Sequence, residues 1–263
     1  QIPGSSFTPV ALTLTWAAST DNLDSPPNLA YQVVRSATDN IGTLADAETN
    51  GEVVMDWSAS TTSADISDLT PGTQYYFNVL VRDQAHNTSI YVSEVTATPD
   101  VIYMFSTDEL AANWTGGSRS NGNSMCETRR ADAYSFLPDA NVLIFISYSN
   151  TDSILNMPGN YSVPTGRWFV GPNHELISTN WNDLFAFDHM NTLGDAGACT
   201  GSHWWAGSDS DGASIASNCT SWNSTLASEY GYRGSCNALG EFWIANAGLA
   251  CNNDEPYLCI AWD

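Results

Sequence analysis

Six cysteines constrain this chain more than any other feature, because Cys126, Cys199, Cys219, Cys236, Cys251 and Cys259 all fall in its second half. Their number is even, no CxxC or Cys/His zinc spacing occurs, and aromatic residues surround them. They read as a disulfide framework formed in an oxidising compartment. Six cysteines admit fifteen pairings, and spacing alone does not choose among them. At 263 residues the chain exceeds one small sandwich and suits two domains of roughly 100–150 residues each.

The charge balance excludes one class of partner. Against 29 acidic residues stand 7 basic ones, all arginine, for a net charge of −22. Nucleic-acid affinity comes mainly from neutralising phosphates with Lys and Arg, so DNA, RNA and acidic membrane surfaces are repelled. The excess acid reads as a solvated surface, with divalent-cation binding as the sharper alternative. No apolar run reaches the ~18 residues of a membrane span. Residues 1–8 carry neither a basic nor an apolar leader stretch, so any signal peptide or anchor is expected outside this sequence.

Residues 10–16 alternate apolar and polar, placing Val10, Leu12, Leu14 and Trp16 on one face of a strand. The polar stretch 19–27, with Pro26 and Pro27, ends it, and a second strand at 29–35 points Tyr31 and Val33 inward. The clearest signal is Leu69-Thr70-Pro71-Gly72-Thr73-Gln74-Tyr75, which feeds a strand with Tyr75, Phe77, Val79 and Val81 on one face. Trp16 and this Leu-x-Pro-x-Thr-x-Tyr segment resemble the fibronectin type III family. The resemblance implies a β-sandwich over residues 1–99, with Trp16 as the core tryptophan and Tyr75 as a corner tyrosine bonded back to nearby backbone. Residues 39–60 are long and polar for that family, and are expected to form an enlarged loop with a short strand at 53–57. The sandwich is expected to close at 92–98, with Pro99-Asp100 as linker, and such a module is expected to act mostly as a spacer.

In residues 100–263 the sequence predicts a strand at 101–105, a Gly/Ser/Asn-rich loop at 115–124, and a helix from Cys126 to about Leu137 with Ala131, Ala133 and Phe136 inward. It further predicts a buried strand at 142–146 and a short helix after Asn180. The C-terminal third reads His203-Trp204-Trp205-Ala206-Gly207-Ser208-Asp209-Ser210-Asp211-Gly212, then Asn218-Cys219-Thr220-Ser221-Trp222, Gly231-Tyr232-Arg233-Gly234, Glu241-Phe242-Trp243-Ile244, and the Cys251/Cys259 pair. These motifs resemble C-type-lectin-like domains, in particular a bacterial branch related to the endostatin-type variant, found as a domain of unknown function in leptospires and other, often marine, bacteria. The resemblance implies an α+β loop whose two ends pair as adjacent strands, with Trp222 and Trp243 structural. It also implies the bridges Cys126–Cys259, Cys219–Cys251 and Cys199–Cys236.

Calcium-binding lectins use Glu-Pro-Asn or Gln-Pro-Asp and a Trp-Asn-Asp segment, because the hard cation needs six to eight oxygens. Trp181-Asn182-Asp183 spells the last but falls in a predicted helix, while the matching position, Trp243 to Asn246, lacks the acid. Asp209 and Asp211, and Asn253 and Asp254, remain as candidate calcium ligands. Trp204 and Trp205, which could stack on sugar rings if exposed, and Asn246 are the candidate ligand-binding residues, although their position in the motif favours the core for the tryptophans.

His86, His174, His189 and His203 carry no HExxH, GxSxG or Cys–His context, and no phosphate-cradling loop occurs. The chain is therefore expected not to be an enzyme; paired carboxylates for glycoside hydrolysis are the one catalytic alternative. Asn-x-Ser/Thr sequons occur at Asn87, Asn113, Asn160, Asn218 and Asn223, about as often as this composition produces by chance. Two functions remain. One is a secreted or cell-surface recognition or adhesion module, a lectin-like head on a sandwich stalk that binds a glycan or protein. The other is a structural subunit of an extracellular filament or surface layer, contacting copies of itself, for instance through a strand donated from residues 1–10.

Overall fold

The computed structural model describes residues 6–21 and 28–263, which form two compact units, Gln1–Asp100 and Val101–Asp263. The Pro26-Pro27 turn and the first half of the 1–10 strand lie outside the described residues. In the first unit, β1 (Ser6–Phe7), β2 (Leu12–Thr15) and β5 (Ser63–Ile66) make one sheet in the order β1-β2-β5. The second sheet is built around β3 (Ala30–Ser36) and β6 (Gln74–Arg82), with β4 (Glu52–Ala59) outside β3. The free side of β6 is shared by β7 (Thr88–Ile90) and β8 (Glu94–Ala97).

Period-two patterning builds the core between these sheets: Leu12, Leu14 and Trp16 meet Tyr31, Val33, Tyr75, Phe77, Val79 and Val81, all buried. The corner tyrosine is in place, its hydroxyl accepting the Thr70 N–H at 3.0 Å. Residues 39–60 differ from expectation. They hold a helix, α1 (Leu44–Asn50), capped by Thr43, and β4 runs for eight residues. The reason is the outer face of the second sheet, where Val34 and Leu80 would be bare; Ile41 and Ala47 cover them, and buried Asn78 donates to the Ile41 carbonyl at 2.8 Å.

The second unit centres on a five-stranded sheet in the order β11-β18-β9-β12-β13. Its strands are β9 (Val101–Ser106), β11 (Asn141–Ile144), β12 (Trp168–Val170), β13 (Leu176–Ser178) and β18 (Leu258–Trp262). The unit's first and last strands, β9 and β18, are antiparallel neighbours. Both faces of this sheet are covered, which is why β9 and β18 are apolar without alternation. Ile102, Met104 and Ile260 enter one core, with Trp181, Trp204 and Trp243. Val101, Tyr103, Phe105 and Cys259 enter the other, with Trp205 and Trp222.

Helix α2 (Arg119–Ala133) packs on that second core through Arg119, Gly122 and Cys126. Cys126 is therefore mid-helix and not its start, Ala131, Ala133 and Phe136 are exposed, and Leu137 is the buried residue. The Ser/Asn/Gly content of 115–124 argues for a loop by propensity; that holds for 115–118, but from Arg119 onward tertiary bonds override it. The Asn123 side chain accepts the Ile144 N–H, and the buried Arg119 guanidinium binds Asp152 and the carbonyls of Ile144 and Ile146 at 2.8, 2.8 and 2.6 Å. Gly122 is required by contact, since a Cβ there would lie 2.9 Å from Ile144.

A short helix, α3 (Met157–Tyr161), and the Asn180-capped α4 (Trp181–Phe185) cover the other face. A smaller sheet, β14 (His203–Trp205), β15 (Tyr230–Ser235) and β16 (Ala247–Ala250), and a two-strand ribbon of β10 (Leu110–Ala111) with β17 (Asp254–Glu255) complete the unit. No helix among the described residues is long and apolar enough to cross a membrane.

Candidate ligand-binding groove

Three disulfides form, Cys126–Cys259, Cys199–Cys236 and Cys219–Cys251, the same pairs that the lectin resemblance implies. Cys126–Cys259 fastens α2 to β18. Trp204 and Trp205, the candidate sugar platforms, take instead the core positions that their motif favours and are fully buried, as are Trp222 and Trp243. They cannot touch a ligand, because the two cores close over them. Trp204 donates to the Trp243 carbonyl at 2.9 Å, and Trp222 to the Ser147 carbonyl at 2.7 Å.

The candidate calcium ligands do not converge either. Asp209 spends one oxygen on the backbone N–H groups of Asp211 and Ala213, at 3.1 and 2.9 Å, closing its own turn. Asn253 donates to the Ala250 carbonyl, and Asp254 lies in the β10–β17 ribbon with its side chain exposed. Among the described residues no group of three or more His, Cys, Asp or Glu could hold a metal ion. Asn246 is half-buried and its N–H bonds the Arg233 carbonyl, which starts β16 and leaves it outside the groove described next.

The motif residues instead hold a loop. Residues 107–118 join β9 to α2, and that loop is tied down at both ends. Thr107 N–H donates to the Tyr257 carbonyl, the Tyr257 hydroxyl donates to the carbonyls of Ala111 and Ala112 at 3.1 and 2.9 Å, and Trp205 Nε1 reaches the Leu110 carbonyl. Burial pushes the Tyr257 phenol far above its ordinary range, so it stays a donor. At the other end, the Gly117 N–H donates to the Trp222 carbonyl at 2.9 Å.

Trp222 itself ends an unusual turn, in which Cys219, Thr220, Ser221 and Trp222 all take positive φ. Such a left-handed run costs non-glycine residues energy at each position. It is fixed by Asn218, whose side chain accepts the Ser221 N–H and donates to the Tyr148 carbonyl, and by the Cys219–Cys251 bridge. Gly207 is glycine because it has φ +64 and a Cβ would fall 2.6 Å from the Trp222 ring.

Between this loop and α2 runs a groove of about 510 Å³. Leu110, Trp114 and Asp108 line one wall, and Asn121, Ser124, Met125, Thr128, Arg129 and Asp132 the other. The helical residues recur at intervals of three and four, a single face of α2. Arg129 grips both oxygens of Asp108, at 3.2 and 3.0 Å, and the Ser106 carbonyl. Trp114 is 60 % exposed, and the other nine tryptophans are buried or half-buried. Sequence reasoning missed this site. Its signal was a lone tryptophan in a Gly/Ser/Asn-rich stretch followed by polar residues at helical spacing.

Comparison with known proteins bears on the first unit. Residues 3–95 match the family model of the fibronectin type III domain. The first unit is a fibronectin type III domain. Among solved structures, the chain is similar to a fibronectin type III domain of human KIAA0970 protein, at 19 % identity and a TM-score of 0.28, covering 36 % of this chain and 69 % of that one. A domain of human KIAA0343 protein matches at 13 % identity and 0.29, covering 38 % and 78 %. The FN1–FN3 domains of chicken CNTN1 match at 13 % and 0.27, covering 37 % and 28 %. No curated protein matches the chain. The assignment of the fibronectin type III domain rests on the family match, with Trp16 and Tyr75 in the places that family requires.

Proposed function

We propose that this chain is a non-catalytic, extracytoplasmic recognition or adhesion module, in which the fibronectin type III domain is a spacer and the second unit a C-type-lectin-like head. The lectin-like reading is supported by the pairing of the unit's two end strands, β9 and β18, and by the bridge that clamps β18 to α2. Disulfides in all six cysteines favour an oxidising compartment.

The observation that carries recognition is Trp114. A domain that buries six of its eight tryptophans and half-buries Trp168 has a reason to leave one exposed over a groove whose loop is held in place at both ends, since a preformed site binds without the cost of ordering it. The filament alternative by strand donation has less support, because Ser6 and Phe7 are already paired with Thr13 and Leu12 of their own sheet.

The test is a binding screen of the full chain, disulfides intact, against glycans and purified extracellular proteins. Saturable binding that disappears when the second unit is unfolded by reduction is the expected result. A chain that binds nothing, or that binds equally well when reduced, is a spacer only.

A further inference from the structure

We infer that the groove along α2 is a calcium-independent binding site for a neutral oligosaccharide, with Trp114 as the platform for one sugar ring. The inference rests on the recognition reading above and names the ligand class for that groove.

Three observations carry it. First, the exposed indole of Trp114 offers a flat apolar surface suited to the C–H face of a pyranose, while Met125 and Leu110 extend the apolar floor. Second, the helical wall from Asn121 to Asp132 spans about 16 Å at 1.5 Å per residue, so the groove is elongated and fits a chain of sugars. Apart from Met125 and Arg129, that wall carries hydroxyl, amide and carboxylate groups, the donors and acceptors that ring hydroxyls need. Among the described residues neither the Ser124 hydroxyl nor the Asp132 carboxylate has a side-chain partner in the protein, so both are free to bond a ligand. Third, the charge balance selects against anions. Arg129, the cation of the groove, is neutralised by Asp108, and the chain carries −22 overall.

A peptide fits less well. Strand addition needs a sheet edge as template, and the adjacent β10 is two residues long. Nothing in the groove resembles a cation cage, so the binding is expected to survive chelation.

The experiment is an array of neutral glucose-, galactose-, mannose- and N-acetylglucosamine-based oligosaccharides, probed in EDTA with the full chain and three variants. Trp114→Ala removes the platform, Ser124→Trp fills the groove from the exposed helix face, and Phe136→Ala removes a different exposed ring as a control. Near-UV circular dichroism and non-reducing peptide maps verify that each variant is folded. Wild type and Phe136→Ala should bind the same neutral glycan, and the other two should lose at least tenfold in affinity. Equal binding by Trp114→Ala and Ser124→Trp would put the site elsewhere while leaving the recognition reading intact. Binding only with calcium, or only to anionic glycans or proteins, would overturn the ligand class. No ligand in either screen would overturn both readings.

Discussion

Removing the Cys126–Cys259 bridge tests how the second unit is held together. The bridge closes a loop of 133 residues, against 37 for Cys199–Cys236 and 32 for Cys219–Cys251. In the chain-entropy view a crosslink destabilises the unfolded state by an amount that grows with the logarithm of the loop, which gives about 5 kcal/mol for the long bridge and about 4 for each short one. A domain has roughly 5–15 kcal/mol in total, so the long bridge is a large fraction of the unit's stability. For a domain of this size the loss corresponds to a fall in Tm of about 10–20 °C.

The assay is differential scanning calorimetry of the full chain with each cysteine pair replaced by alanine. The fibronectin type III domain contains no cysteine and serves as the internal reference. The expected order of Tm loss places Cys126→Ala/Cys259→Ala first, with the reference transition unmoved. If that variant loses less than either short-bridge variant, or if non-reducing peptide maps join Cys126 to another cysteine, the closed-loop account of the unit is wrong.

Tyr75→Phe should leave the Thr70 N–H without its acceptor and cost about 1 kcal/mol, seen as a shift of the fibronectin type III transition alone. Trp222→Phe removes the donor to Ser147 and part of a buried ring, at about 2–4 kcal/mol. Because the Trp222 carbonyl anchors Gly117, it should also speed amide exchange across residues 111–118. Burial holds His174, His189 and His203 of the second unit below their ordinary value of 6.5. The unfolded chain therefore binds more protons, and the unit should be stable above pH 6.5 and lose stability as pH falls from there through the lowered folded values. Denaturant midpoints between pH 7.5 and 5.5 measure this slope; His189→Gln should flatten it, and an unchanged slope would refute the assignment to His189.

Within the first unit, the sequence alone determined the three strands that carry Leu12 to Trp16, Tyr31 and Val33, and Tyr75 to Val81, with their inward residues. Alternation at 10–16 and 75–81, the turn at Pro71-Gly72 and the Tyr75 corner are set by contacts between near neighbours and by backbone sterics. The cysteine count likewise announced a bonded second half. Tertiary structure decided the rest, because the exposure of a side chain depends on which distant segment covers it. Residues 115–124 read as a loop by propensity; 115–118 are one, but 119–124 became helix because Ile144, Ile146 and Asp152 supplied bonds from more than twenty residues away. Trp204 and Trp205 could be read from their motif as ligand platforms or as core, and only the two cores that enclose them decide it. Trp114, in no motif, stays open to solvent because nothing folds over it. Whether an indole is scaffold or surface is a property of the sheet order, and no local pattern encodes that order.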